Sequence, residues 1–72
     1  MTAQTLTLKL NGVSTDVVLG HATIADLVTE LGLAGKRIAV ERNGEIVSRS
    51  RYATTTIERG DRLEIVAAVG GG

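Results

Sequence analysis

The sequence predicts an α+β domain in which a mixed sheet of about four to five strands packs on one main helix. Three features indicate this fold: alternating apolar and polar residues near both ends, two Asn-Gly dipeptides that follow strand-like runs, and one central run with helical periodicity. Seventy-two residues allow a single domain with a small core. We expect residues 1–68 to form this domain and residues 69–72 to form a flexible C-terminal tail.

The first strand is predicted from leucines at positions 6, 8 and 10, which alternate with polar residues. Asn11-Gly12 follows at once, and this dipeptide tolerates the positive φ angles of a two-residue hairpin turn. Val13 to Leu19 should therefore return antiparallel as the second strand.

The helix is predicted over Thr23 to Leu31. Thr23 can cap it, and Asp26 stands three residues later, where a capping box places an acidic or amide side chain. One apolar stripe faces the sheet, formed by Ile24, Leu27, Val28 and Leu31. Gly32 supplies the left-handed residue that ends the helix.

The second half of the chain predicts another hairpin and a final strand. Ile38 and Val40 mark a third strand, Asn43-Gly44 a turn, and Ile46-Val47 a short return. The last strand runs from Arg62 to Ala68. Two hairpins with a helix between them predict the β-grasp arrangement, in which the first and last strands lie parallel at the centre of the sheet.

The composition excludes several functional classes. The chain has no cysteine, so it has no disulfide framework and no thiolate metal site. Its eight basic residues balance eight acidic ones, and Tyr52 is its one aromatic residue, which disfavours nucleic-acid and anionic-membrane binding. No segment approaches the length of a transmembrane helix and no signal peptide is visible, so we expect a soluble, cytoplasmic protein.

No side chain offers a self-contained active site or a metal site. His21 is the single histidine and stands in a polar loop, so we expect it to be exposed. Arg49, Arg51 and Tyr52 form a basic and aromatic cluster that suits either a partner or phosphate contact or an ordinary solvated turn. We favour the solvated turn, with the Tyr52 ring buried.

The C-terminal residues Gly70, Gly71 and Gly72 are the clearest functional candidate. Glycines have no side chain to bury and lose much backbone entropy on ordering, so this tail should be mobile and able to enter a narrow channel. The tail is then either a frayed terminus or a reactive carboxylate delivered to another protein. Val66 and Ala68 put apolar side chains on the outer face of the last strand, and with Val69 they form a candidate docking surface.

The chain resembles the ThiS family of sulfur-carrier proteins of thiamine biosynthesis. The resemblance covers the whole length and is most specific in residues 39–47, 49–55 and 60–66 and in the Ala68-Val69-Gly70-Gly71-Gly72 ending. Two positions depart from the pattern: the family often has proline where Ser48 stands and tryptophan where Tyr52 stands. Neither departure touches the tail.

This resemblance implies a non-enzymatic carrier that works with partner enzymes. A ThiF-like adenylyltransferase, which holds the ATP and magnesium, would adenylate Gly72, and a persulfide sulfur donor would convert it to a thiocarboxylate. Thiazole synthase (ThiG-like) would then take the sulfur, and the carrier itself would bind no cofactor. Two alternatives stay open: a relative that serves molybdopterin, another acceptor or protein modification, and a β-grasp interaction module with an inert tail.

Overall fold

The computed structural model describes residues 3–67 of the chain. The elements in chain order are β1 (Gln4–Leu10), β2 (Val13–Leu19), α1 (Ile24–Glu30), β3 (Ile38–Arg42), β4 (Glu45–Val47), a 3₁₀ turn (Arg49–Arg51) and β5 (Arg62–Ala67). The sheet order is β2-β1-β5-β3-β4, with β5 parallel to β1 and antiparallel to β3. The predicted β-grasp fold is confirmed, including the parallel central strands.

Both predicted hairpins are present, and their turns explain the registers. Asn11 and Gly12 have φ angles of 49° and 82°, and Asn43 and Gly44 have φ angles of 52° and 87°. Two successive positive φ values belong to a turn whose twist matches that of the strands it joins. Leu10 therefore pairs with Val13, and Arg42 with Glu45.

The first turn of α1 obtains its hydrogen bonds from several parts of the chain. The Asp26 N–H donates to Thr23 Oγ1 at 3.2 Å, as predicted for the cap. The reciprocal half of the predicted capping box is wrong: the Asp26 carboxylate accepts the N–H of His21 at 2.8 Å. The Thr23 N–H instead donates to the His21 carbonyl at 2.8 Å, so it does not need the carboxylate.

The C-terminal end of α1 has the predicted glycine stop. Gly32 has a φ angle of 75°, and its N–H donates to the carbonyl of Thr29 at 3.0 Å. The Leu33 N–H donates to the Val28 carbonyl at 2.9 Å. These two bonds form a Schellman motif, which satisfies carbonyl groups that the helix itself leaves unpaired.

The core lies between α1 and one face of the sheet. Its most deeply buried side chains, each under 2% exposed, come from every long element and from one loop: Leu8, Leu19, Ile24, Leu27, Val40, Ile57 and Leu63. Ile57 has no periodic pattern around it, and nothing in the local sequence indicated that it is a core residue. Ala67 continues the inner face of Leu63 and Ile65 by alternation, but it is exposed at the end of the strand.

The segment between β4 and β5 forms a short helical turn that also supports α1. Tyr52 is buried, as expected, with 9% of its surface exposed. Its carbonyl accepts the N–H of Ala25 at 2.9 Å, and the Thr55 carbonyl accepts that of Ile24 at 3.1 Å. Between residues 3 and 67, no helix has the length and apolar character needed to cross a membrane.

Candidate functional site

The central strand β5 leads directly to the candidate tail. Ala67, the last residue described, is the cross-strand partner of Ile38 at the beginning of β3. The predicted carrier residue Gly72, its access residues Gly70 and Gly71, and the candidate docking residues Ala68 and Val69 lie outside the described residues. Their roles, and the boundary between domain and tail, stay predictions.

On the β1 side, the Asn11-Gly12 turn continues to hold β5 after β1 has ended at Leu10. The Asn11 N–H donates to the Leu63 carbonyl at 2.8 Å. Its side-chain amide then contacts Ile65 twice: Oδ1 accepts the Ile65 N–H at 2.8 Å, and Nδ2 donates to the Ile65 carbonyl at 3.1 Å. The Asn11 side chain thus takes the place of a neighbouring strand at Ile65.

On the β3 side, the second turn holds the beginning of β5 in a similar way. The Asn43 N–H donates to the Arg62 carbonyl at 2.7 Å, and Asn43 Oδ1 accepts the Arg62 N–H at 2.9 Å. Asn43 Nδ2 donates to Asp61 Oδ1 at 3.1 Å. One turn asparagine therefore links β5 to the hairpin and to the carboxylate that precedes the strand.

Asp61 is the only buried charged residue among residues 3–67, and its carboxylate is fully bonded. Besides the Asn43 contact, Oδ2 accepts Arg42 Nε at 2.7 Å and the Glu58 N–H at 2.8 Å. Burial alone would raise the pKa of Asp61, but the bonds from Glu58, Arg42 and Asn43 favour the ionised form more strongly. The pKa of Asp61 therefore lies below its ordinary value of 3.8.

The sequence did not reveal the roles of Asn11, Asn43 and Asp61 in holding β5. Both asparagines are predicted only as residues of hairpin turns. Ile65 lies 54 residues along the chain from Asn11. Asp61 lies 18 residues from Asn43 and 19 residues from Arg42. The one local signal was asparagine rather than glycine in the first turn position, since asparagine tolerates positive φ and also offers an amide.

The outer face of the sheet carries the candidate docking residue Val66. Its side chain is 61% exposed, in agreement with the alternation in the sequence. Ala39 lies opposite Val66 on β3, and Ile46, 73% exposed, lies on β4. Glu41 and Glu64 face each other two register positions away, as the next pair on this face of the sheet, so two carboxylates adjoin this apolar surface. Docking at Val66 stays a prediction.

The basic and aromatic cluster does not converge on one point. The Tyr52 ring belongs to the core, while Arg49 Nη2 donates to the Lys36 carbonyl at 3.1 Å. Arg51 is exposed and lies instead near Arg42 on the β4 side. The three side chains therefore do not form one contact site: Arg51 is separate, and Arg49 is turned towards the loop that follows α1.

His21 is exposed and does not belong to a metal site in the described part of the chain. Residues 3–67 contain no group of three or more His, Cys, Asp or Glu side chains that could hold a metal ion. The imidazole of His21 lies in the loop before α1, where the residue contributes its backbone N–H to Asp26. In the described structure, His21 acts through its backbone, which helps to hold the loop before α1.

Comparisons with known proteins agree with the fold and with the C-terminal pattern. A sequence model of the ThiS family matches residues 5–72. The sulfur carrier protein ThiS of Bacillus subtilis is 40% identical over 65 residues, which are 90% of this chain and 98% of that protein. The crystal structure of the thiamine biosynthesis protein ThiS from Geobacter metallireducens superposes with a TM-score of 0.75 at 31% identity, covering 93% of this chain and all of that one.

Two other relatives are much longer proteins. A thiazole synthase of Paramagnetospirillum magneticum is 52% identical over 50 residues, and one of Magnetococcus marinus is 37% identical over 65 residues. These matches cover 69% and 90% of this chain but span only 15% and 20% of the two relatives. The family match over residues 5–72 and the Bacillus relative together establish that this chain belongs to the ThiS family.

Proposed function

We propose that this chain is a sulfur carrier of thiamine biosynthesis, with Gly72 as the residue that carries the sulfur. The observation that carries the proposal is the extent of the family match, which continues through the Val69-Gly70-Gly71-Gly72 ending to the last residue. The Bacillus relative, which is named a sulfur carrier, matches over nearly its own full length. The chain acts as a substrate of its partners and not as a catalyst.

The chemistry requires activation of the Gly72 carboxylate. A C-terminal carboxylate with a pKa of about 3.5 is ionised at neutral pH and is a poor electrophile. Its oxygen attacks the α-phosphate of ATP, which gives an acyl adenylate and pyrophosphate. A persulfide then displaces AMP to give an acyl disulfide, and a thiol cleaves the sulfur–sulfur bond, supplies two electrons and leaves the thiocarboxylate.

Each step needs a partner protein. A ThiF-like adenylyltransferase binds ATP and magnesium, a persulfide protein donates sulfur, and thiazole synthase accepts it. The names of the two longer relatives support thiazole synthase as the acceptor. We place the cycle in the cytoplasm, because a cysteine-free domain held by aliphatic packing needs no oxidising compartment.

The domain provides the support from which the tail is presented. β5 is bonded by β1, β3 and both turn asparagines, so the strand that precedes the tail has a fixed position. Gly70 and Gly71 have no Cβ and let the backbone enter a narrow channel. Val66, with Ala68 and Val69, forms the surface that meets the partner.

The test compares the wild-type chain with two tail variants in a pyrophosphate-release assay with the adenylyltransferase. Deleting Gly72, or adding one serine after it, removes the carboxylate from its position; both variants should lose adenylation and keep the wild-type melting temperature. Adenylation of the deleted chain at the wild-type rate would contradict Gly72 as the reactive residue. A large fall in melting temperature would instead show that the tail is structural.

A further inference from the structure

A groove on the helix side of the sheet opens beside the end of β5. It encloses about 240 Å³ between the second half of α1, the loop that follows it and the 3₁₀ turn. Its apolar walls include Val28, Leu33, Ile38 and Tyr52. Val28 and Tyr52 are buried, whereas Leu33 and Ile38 are only partly buried, so the groove leaves apolar surface in contact with water.

The groove adjoins the point at which the chain leaves the sheet. Ile38, one of its walls, is the cross-strand partner of Ala67, and the candidate tail follows Ala67. Ile38 shares its face of the sheet with the buried Val40, whereas Val66 pairs with Ala39 on the opposite face. The groove and the Val66 surface therefore lie on opposite faces of the sheet, at the same end.

The rim of the groove is cationic. Lys36 and Arg49 both line it, and the bond from Arg49 Nη2 to the Lys36 carbonyl holds the guanidinium at this position. Among residues 3–67, those that line the groove include no acidic side chain. The one ion pair within residues 3–67 joins Arg42 to Asp61, so neither rim cation is paired with a carboxylate in that part of the chain.

We propose that this groove is a second docking surface, for an acidic segment of the enzyme that receives the tail. The segment places one apolar side chain against Leu33 and Ile38 and a carboxylate against Lys36 and Arg49. The inference rests on the proposed carrier function, because it is insertion of the tail that brings the partner to this end of the sheet.

The charges of the two faces support this assignment. The outer face presents the Glu41 and Glu64 carboxylates beside Val66, and the groove presents the Lys36 and Arg49 cations beside Ile38. Charge complementarity governs partner choice and association rate more than affinity alone. A carboxylate that fits between Lys36 and Arg49 would meet Glu41 and Glu64 beside Val66, although Lys9 and Arg62 lie further along the outer face, so the two surfaces favour different segments at the same exit.

The test measures dissociation constants for two partners, the adenylyltransferase and thiazole synthase, at low and physiological ionic strength. Arg49→Glu and Lys36→Glu should each weaken binding of at least one partner about tenfold, with the larger effect at low salt. Arg51→Glu is the matched control, since Arg51 belongs to the same 3₁₀ turn but does not line the groove. It should change the dissociation constant less than about twofold.

A third groove variant adds a negative charge without removing a wild-type side-chain bond, so a loss of binding cannot be attributed to a lost structural contact. Ala34 is exposed and lines the groove, so Ala34→Glu brings a negative charge there without removing the bond from Arg49. Unchanged binding of both partners by all three groove variants would overturn the proposal, as would an equal loss with Arg51→Glu. Formation of the thiocarboxylate on the wild-type chain is measured separately; its absence would contradict the carrier function itself.

Discussion

The side-chain amide of Asn11 pairs with the backbone of Ile65 as a neighbouring strand would. Oδ1 accepts the Ile65 N–H at 2.8 Å and Nδ2 donates to the Ile65 carbonyl at 3.1 Å. β1 has already ended at Leu10, so this contact satisfies backbone groups of β5 that the strand itself no longer reaches. The turn that joins β1 to β2 thus also stabilises β5, the strand that leads to the tail.

Asn11→Gly should separate these two roles. Glycine accepts the φ angle of 49° without strain, so the turn is kept while both side-chain bonds to Ile65 are lost. We expect the free energy of unfolding to fall by about 1 to 2 kcal/mol. Urea denaturation measures this loss, and hydrogen exchange at the Ile65 amide identifies its cause. Wild-type protection of that amide in the variant would contradict the account.

Asp61 predicts a specific dependence of stability on pH. The pKa of the folded carboxyl lies below the ordinary value of 3.8, so the unfolded chain binds the proton more readily. The contribution of Asp61 to stability is therefore complete above that ordinary value and is lost as the pH falls through the folded pKa. Protonation weakens the contacts with Arg42, Asn43 and Glu58.

Asp61→Asn tests this linkage, because asparagine keeps the shape but not the charge. At neutral pH the variant should be less stable by about 2 kcal/mol, since a buried charged acceptor is lost and its donors lose their partner. Chemical denaturation of both proteins over a range of pH should show the difference shrinking below pH 3.8. A difference that is constant or grows on acidification would contradict the depressed pKa.

The two polar contacts at the start of α1 should differ in their effects. Thr23→Ala removes the bond from the Asp26 N–H to Oγ1 and should cost about 1 kcal/mol. Asp26→Ala removes the bond from the His21 N–H and should loosen the loop before the helix. Hydrogen exchange at the amides of residues 21 and 26 distinguishes them. Loss of protection at the Thr23 amide in Asp26→Ala would instead support the reciprocal capping box.

Val66→Asp tests the proposed docking surface on the outer face of the sheet. A negative charge beside Glu64 and Glu41 should weaken binding of the adenylyltransferase about tenfold, while stability changes by less than about 1 kcal/mol. Val18→Asp is the control: Val18 is also exposed on the outer face, but it lies on the edge strand β2. Equal effects of the two substitutions on affinity would remove Val66 from the interface.

Local patterns were sufficient to predict most of the fold. Each Asn-Gly dipeptide determined a hairpin, and the leucine alternation placed β1 with the correct face inward. The helix ended at the glycine because Gly32 alone can adopt a φ angle of 75° there at little cost. Two hairpins with a helix between them then implied the β-grasp arrangement, in which the first and last strands lie parallel at the centre of the sheet.

Local patterns could not predict contacts between distant parts of the chain. The bonds of Asn11 to Ile65 and of Arg42 to Asp61 depend on how β5 is placed between β1 and β3. The Asp26 prediction was wrong because the Thr23 N–H had another acceptor, the His21 carbonyl. Ile57 was overlooked because it stands alone in a loop whose backbone pairs with Ala22.

The most direct test of the carrier function is the intact mass of the protein after incubation with its adenylyltransferase, ATP, magnesium, a persulfide donor and a thiol. The mass should increase by the difference between one sulfur and one oxygen atom, and fragmentation should place this change on Gly72. A parallel incubation without ATP serves as the control. An unchanged mass with an adenylyltransferase of demonstrated activity would contradict the account.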